Sequence, residues 1–206
     1  MKPLSEQSDN ELLQSMLAGD EEALAVLYRR RQGSVYRFVL QMCGSQALAE
    51  DVTQEVFMVL IRDGQNFNAA RGTLNSFLIG VARNHLLRRL QRERFYVSLN
   101  GDLEDETISP LEFKSPAEPL DSLSRTETIA AVRKAVLSLP ENYREVVVLC
   151  DLQEMSYVEA AEVLGCAVGT VRSRLHRARA LLVDKLRPKD ETENVSPNVK
   201  SARCFA

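Results

Sequence analysis

The sequence has no tryptophan, few aromatic residues of any kind, and only nine glycines in 206 residues. Leu, Ala, Val, Glu and Arg dominate instead, a composition that favours helices over strands. No apolar run approaches the ~20 residues of a membrane helix, and the start, MKPLSEQSDNELL, has no hydrophobic signal region. The expectation is a cytoplasmic protein with no membrane insertion. Four cysteines, Cys43, Cys150, Cys166 and Cys204, include no C-x-x-C pair, and His85 and His176 lie far apart. No metal spacing is visible, and the first three cysteines read as reduced, buried or turn-filling thiols. There is no nucleophile–base pair and no phosphate-binding glycine loop, so neither an enzyme nor a cofactor is expected.

Net charge is also small, formally −3, so bulk charge does not announce a nucleic-acid partner. Its distribution does. Residues 83–94 hold five arginines and His85 against Glu93 alone. Residues 172–189 hold seven Lys/Arg against Asp184 alone, and residues 97–124 hold seven acids against Lys114 alone. Two basic stretches therefore flank an acidic one.

The most informative stretch is Ser156 to Leu182. Ser156 with Glu159 three places on has capping-box spacing, Ala161 is small where helices cross, and Gly165 suits a helix end. Val168, Val171, Leu175, Ala178 and Leu182 form one apolar stripe on a second helix beginning near Gly169-Thr170. Thr170, Arg172, Ser173, His176 and Arg177 fall largely off that stripe. A helix pinned on one face and basic on the other fits a DNA major groove, so the stretch reads as a helix-turn-helix. The plainer alternative is a solvated, arginine-rich helix end.

Upstream, the periodicity predicts helices over Asn10–Ala18, Glu21–Met42, Ala47–Arg62 and Leu74–Arg94. In the third, Asp51, Gln54, Glu55 and Met58 share a face; from the helix alone, an ordinary solvated face is the simpler reading. In the fourth, an apolar first half turns basic, and arginines that dense need solvent or an anionic partner. Residues 96–124 contain three prolines and no sustained periodicity, and read as a flexible acidic linker. Helices then resume, with Ile129, Val132, Val136 and Leu137 marking one and Glu141–Leu152 the next. The expected architecture is all-α, with two small helical domains at 9–95 and 125–187, the linker between them, and a flexible tail at 188–206.

Three segments carry a resemblance to a known family: AEDVTQEVFMVL (49–60), FNAARGTLNSFLIGVARNHLLRRLQRER (67–94) and LPENYREVVVLCDLQEMSYVEAAEVLGCAVGTVRSRLHRARALL (139–182). They resemble bacterial RNA polymerase sigma factors of the extracytoplasmic-function (ECF) group, which direct promoter-specific transcription initiation. The resemblance implies that Asp51, Gln54 and Glu55 bind the clamp helices of the polymerase largest subunit. It implies that Asn68, Arg71, Arg83, Asn84 and Arg88 serve the −10 element as it is melted and captured. On the last helix it implies that Arg172, Ser173, His176 and Arg177 face −35 bases, with Thr170 and Arg179 nearer phosphates. Further implied partners are the flap of the second subunit and an anti-sigma factor. The linker would thread the polymerase interior, its acids standing in for nascent RNA. Two departures stand out. Phe77 and Leu74 replace a usual Trp and a usual aromatic, and Arg88 stands where many members carry an acid. A stand-alone helix-turn-helix regulator would explain the second domain but leave the first without a role.

Overall fold

The computed structural model describes residues 3–100 and 121–187. The middle of the expected linker, 101–120, and the tail with Cys204 lie outside the described residues. Those described are helical, and no strand occurs among them.

Four helices build the first lobe: α1 (Asp9–Leu17), α2 (Glu21–Cys43), α3 (Gln46–Asp63) and α4 (Leu74–Asn100). Their starts follow side-chain chemistry. Ser8 and Glu11 form a capping box on α1, the Asp20 carboxylate accepts from the Glu22 and Ala23 amides, and Ser45 caps α3. Leu27, Val35, Phe38, Val39, Val52, Val56, Leu60 and Leu78 have no exposed surface. Burying each such side chain contributes about 1.5–3 kcal/mol. Arg30 and Arg31, which interrupt the apolar face of α2, leave the core to pair with Asp9. Leu17 and Tyr28, although apolar positions of α1 and α2, are partly exposed, and the Tyr28 ring stands edge-on to Phe57. Helix α4 continues to Asn100, five residues beyond the expected domain limit at 95.

The second lobe contains α5 (Asp121–Leu137), α6 (Glu141–Val147), α7 (Tyr157–Leu164) and α8 (Val168–Leu186). The sequence predicts one helix to Leu152. Instead α6 gives way to a wider π-helical turn over Val148–Leu152, with the Gln153 amide donating five residues back to the Val148 carbonyl at 2.9 Å. That turn keeps Val148 and Leu149 buried while swinging the chain into α7. Ile129, expected to mark the buried face of α5, is exposed.

The lobes pack against each other, α4 on α7 and α2 on α5, and one hydrophobic cluster runs through both. Gly44 is required at this joint for two reasons. Its φ is +74°, and a Cβ there would lie 3.1 Å from Leu137 Cδ1. Arg144 staples the same corner, donating to the carbonyls of Met42 (2.6 Å), Leu137 and Leu139.

Candidate nucleic-acid and partner interfaces

The polar row on α3 forms as the spacing predicts. Asp51 and Gln54 are exposed, Met58 is 65% exposed, and Ile61 extends the apolar end of the patch. Helix α4 holds the carboxylates in place. His85 Nδ1 lies 2.8 Å from Glu55 Oε2, Arg89 binds the other Glu55 oxygen, and Arg89 also reaches Asp51 at 3.2 Å. Burial raises the Glu55 carboxyl pKa, but hydrogen bonds from Arg89 and His85 outweigh it and hold the group below its usual value. Glu55 stays ionised and oriented. His85 and Arg89, which carry no assigned role in the sequence reading, are the residues that orient it.

The loop between α3 and α4 is built on a short 3₁₀ turn (Gly64–Asn66) and an Asn68-centred turn. Asn68 Oδ1 accepts from the Ala70 amide at 2.9 Å, and its carbonyl accepts from the Arg71 amide at 3.0 Å. Behind the loop, Phe67 packs edge-to-face on Phe77, centroids 5.6 Å apart. Phe77, the departure from the family's Trp, thus still supports the loop. Thr73 Oγ1 accepts from the Ser76 amide at 3.1 Å and caps α4. Asn68, Arg71, Asn84 and Arg88 are exposed. Arg83 is not presented to solvent with them. Its Nε donates to Glu145 Oε1 on α6 at 2.6 Å, and Glu145 is only 2% exposed. The anionic partner that the arginine density demanded is therefore an acid from the other lobe for Arg83, and the α3 row for Arg89.

The helix-turn-helix is α7, its turn, and α8. The Ser156–Glu159 capping box is complete, and Gly165 ends α7 with φ +63°. Val171, Leu175 and Ala178 are buried against the lobe core. Helix α8 starts at Val168, one residue before the predicted start. Arg172, Ser173, His176 and Arg177 are exposed, with Arg172 stacked over the Tyr157 ring at 5.8 Å and Ser173 Oγ bonded to the Thr170 carbonyl at 3.0 Å. Thr170 is half-buried. Arg179 does not project alone. It makes a two-pronged pair with Asp151, at 3.1 and 2.5 Å, that ties α8 to the π-helical turn. Sequence reasoning missed Glu145 and Asp151, since each pairs with a residue far away in the chain.

Two lobes, one with a carboxylate row and a polar loop, the other a helix-turn-helix with an outward basic face, define the class of sigma-70-type initiation factors. The family profiles agree: Sigma-70 region 2 matches residues 27–96 and Sigma-70 region 4 matches residues 129–182. The chain belongs to the ECF family of RNA polymerase sigma factors. It is 30% identical over 192 residues to the RNA polymerase sigma-H factor of Pseudomonas aeruginosa, covering 90% of this chain and 97% of that one. It is 36% identical over 172 residues to the ECF RNA polymerase sigma factor SigE of Mycolicibacterium smegmatis, covering 82% of this chain and 64% of that longer protein. Among solved structures, the sigma factor RpoE in complex with the anti-sigma factor NepR from Bartonella quintana has the same fold, with a TM-score of 0.65 at 23% identity over 79% of this chain and 95% of that one. The protein is thus a transcription initiation factor rather than an enzyme. Among the described residues, no helix is long and apolar enough to cross a membrane.

Proposed function

We propose that this chain is a dissociable subunit that brings core RNA polymerase to its promoters by holding DNA at two places. Its functional units are residues 9–95 and 125–187, joined by 96–124 and followed by the tail at 188–206. Asp51, Gln54 and Glu55 dock on the clamp helices of the largest subunit. The ionised, pre-oriented Glu55 suits a basic partner surface, and exposed Met58 and Ile61 supply apolar contact beside it. Asn68 and Arg71 contact the −10 strand as it unstacks, Asn84 and Arg88 track its backbone, and Arg83 joins them when it leaves Glu145. Capture of an unstacked base offsets the stacking lost on melting. Arg172, Ser173, His176 and Arg177 read the −35 duplex in the major groove. Thr170 and Arg179 lie at the edge of that contact, with Arg179 acting chiefly as a brace through Asp151.

The observation that carries this reading is the α8 face. Its core side is locked by Val171, Leu175 and Ala178, while four polar or basic side chains project together on the other side. The lobe also meets the flap of the second subunit, and the chain acts in the cytoplasm, where polymerase is. An anti-sigma factor is a further partner, supported by the complex reported for the structural relative. Run-off transcription with core polymerase on a genomic fragment library tests the proposal. Discrete transcripts sharing two upstream elements are expected. No transcript above core polymerase alone would refute it.

A further inference from the structure

The joint between the lobes uses side chains that promoter binding would also use. Glu145, almost fully buried on α6, takes the Nε proton donor of Arg83 at 2.6 Å, and the Arg83 side chain is itself only 20% exposed. On α7, Glu159 serves two helix starts at once. Its Oε2 closes the capping box, receiving the Ser156 amide at 3.1 Å and the Ser156 hydroxyl at 2.8 Å. Its Oε1 accepts from Thr73 Oγ1 and Ser76 Oγ, both at 3.2 Å, across the lobe boundary. Burial raises the Glu159 carboxyl pKa, but these hydrogen bonds prevail and hold it below its usual value. One turn along α7, Glu162 Oε2 lies 3.2 Å from where a Cβ on Gly72 would sit. Three carboxylates of the second lobe therefore face the first half of α4 and the loop before it. Arg71 and Gly72 line one cleft of about 760 Å³ with Ser156, Glu159 and Glu162.

The chemistry of these contacts is that of a bound backbone phosphate. A guanidinium, two hydroxyls and the positive end of a long helix are what phosphate oxygens would accept from. Here carboxylates fill the same positions. Further cross-lobe hydrogen bonds are also polar and exchangeable: Gln153 accepts from Ser34 Oγ and donates to Gln41 Oε1, each at 3.2 Å, and Arg144 donates to the Met42 carbonyl at 2.6 Å. Groups of this kind are satisfied by water or nucleic acid as readily as by each other, so the joint can open without stranding them.

We infer that Glu145 and Glu159 are carboxylate surrogates for DNA phosphates. They latch the two lobes shut, so that the chain alone inhibits itself and nucleic acid engages only by displacing them. This rests on the proposed promoter-contacting role of Arg83 and the loop around Arg71. A closed majority state lowers apparent affinity in proportion to the fraction open.

The test uses the full chain carrying E145Q and E159Q together, compared with wild type. Three quantities are read: radius of gyration by small-angle scattering, affinity for a fluorescein-labelled mixed-sequence single-stranded 20-mer, and affinity for core polymerase. The double variant is expected to be larger in solution and to bind the oligonucleotide and core roughly tenfold more tightly, the factor expected when charge-assisted contacts holding the closed state are lost. An unchanged radius with unchanged oligonucleotide affinity overturns the latch. If the double variant loses its helical circular dichroism, S34A/Q153A carries the test on the same criteria. It loosens the joint while leaving both carboxylates and the nucleic-acid residues in place, and a smaller shift in the same direction is expected. Failure of the functional reading looks different. Neither wild type nor variant would then give run-off transcripts, while the scattering comparison would still decide the latch.

Discussion

Replacing Phe67 by Ala tests whether the loop before α4 acts as a supported platform. Phe67 and Phe77 are both half-buried and meet edge-to-face at 5.6 Å with an interplanar angle of 61°. Removing a ring that hides about 80–100 Å² costs about 2 kcal/mol at ~25 cal/mol/Å². The edge-to-face pair adds about 1 kcal/mol beyond area. F67A should therefore lose about 2–3 kcal/mol in urea unfolding, and F67A with F77A should show a coupling of about 1 kcal/mol in a double-mutant cycle. The functional consequence is read by permanganate reactivity of unpaired thymines on a promoter found by run-off transcription. Both single variants should open fewer complexes while binding core polymerase normally, because α3 and its carboxylate row are untouched. F77W should keep the platform, since a larger ring still meets Phe67. Zero coupling between the two rings, or wild-type strand opening by F67A, would refute the platform.

Other expectations follow from the same geometry. R177A should weaken −35 duplex binding by roughly 1–3 kcal/mol in a sequence-dependent way, whereas a loss equal on all sequences would assign Arg177 to phosphates. R179A should instead lower the stability of the second lobe by up to about 1 kcal/mol, because its exposed pair with Asp151 is a brace; thermal melting checks this. E55Q should reduce core affinity while preserving helicity, and normal affinity in a core-binding titration would remove Glu55 from the interface. The same variant has a pH signature. The folded Glu55 carboxyl titrates below its ordinary 4.5, so its contribution to stability is complete above about that pH and is lost as pH falls through the lower folded value. E55Q should accordingly flatten that part of the acid-unfolding curve. G165A, placed at φ +63°, should cost about 1 kcal/mol in chemical denaturation and loosen the angle between α7 and α8.

Much of this was legible in the sequence because it is local. Capping boxes at Ser8 and Ser156, the glycine stop at Gly165 and the stripe Val171–Leu175–Ala178 all depend on residues within one or two turns. The π-helical turn at Val148–Leu152 was not legible. Its apolar run VVVLC fits an unbroken helix equally well, and only the demand that α7 meet α4 and α8 selects the wider turn. Ile129 shares its arc with Val132 and Val136, which pack inward, but it lies in the earlier part of α5, where residues 126–131 are exposed. Glu145 is the sharpest miss. An acid beside Val146 and Val147 signals an exposed position, and its burial is tolerable only because Arg83 arrives from another lobe.

The arginines divide into those matched to carboxylates and those left free to meet DNA. Arg30 and Arg31 pair with Asp9, Arg83 with Glu145, Arg89 with Asp51 and Glu55, and Arg179 with Asp151. Arg71, Arg88 and Arg177 have no ion-pair partner among the described residues, and Arg172 rests only on an aromatic face. An arginine already matched to a carboxylate adds little to the field seen by DNA, so a count of basic residues per segment overstates the available charge. These four arginines lie at two places, along the α3–α4 loop and α4, and on the outer face of α8. If opening releases Arg83, the first of these gains a cation just when strand capture needs one. Nucleic-acid affinity then depends on the position of the lobes rather than on composition, and a salt-dependence slope that steepens in E145Q/E159Q relative to wild type is its direct consequence.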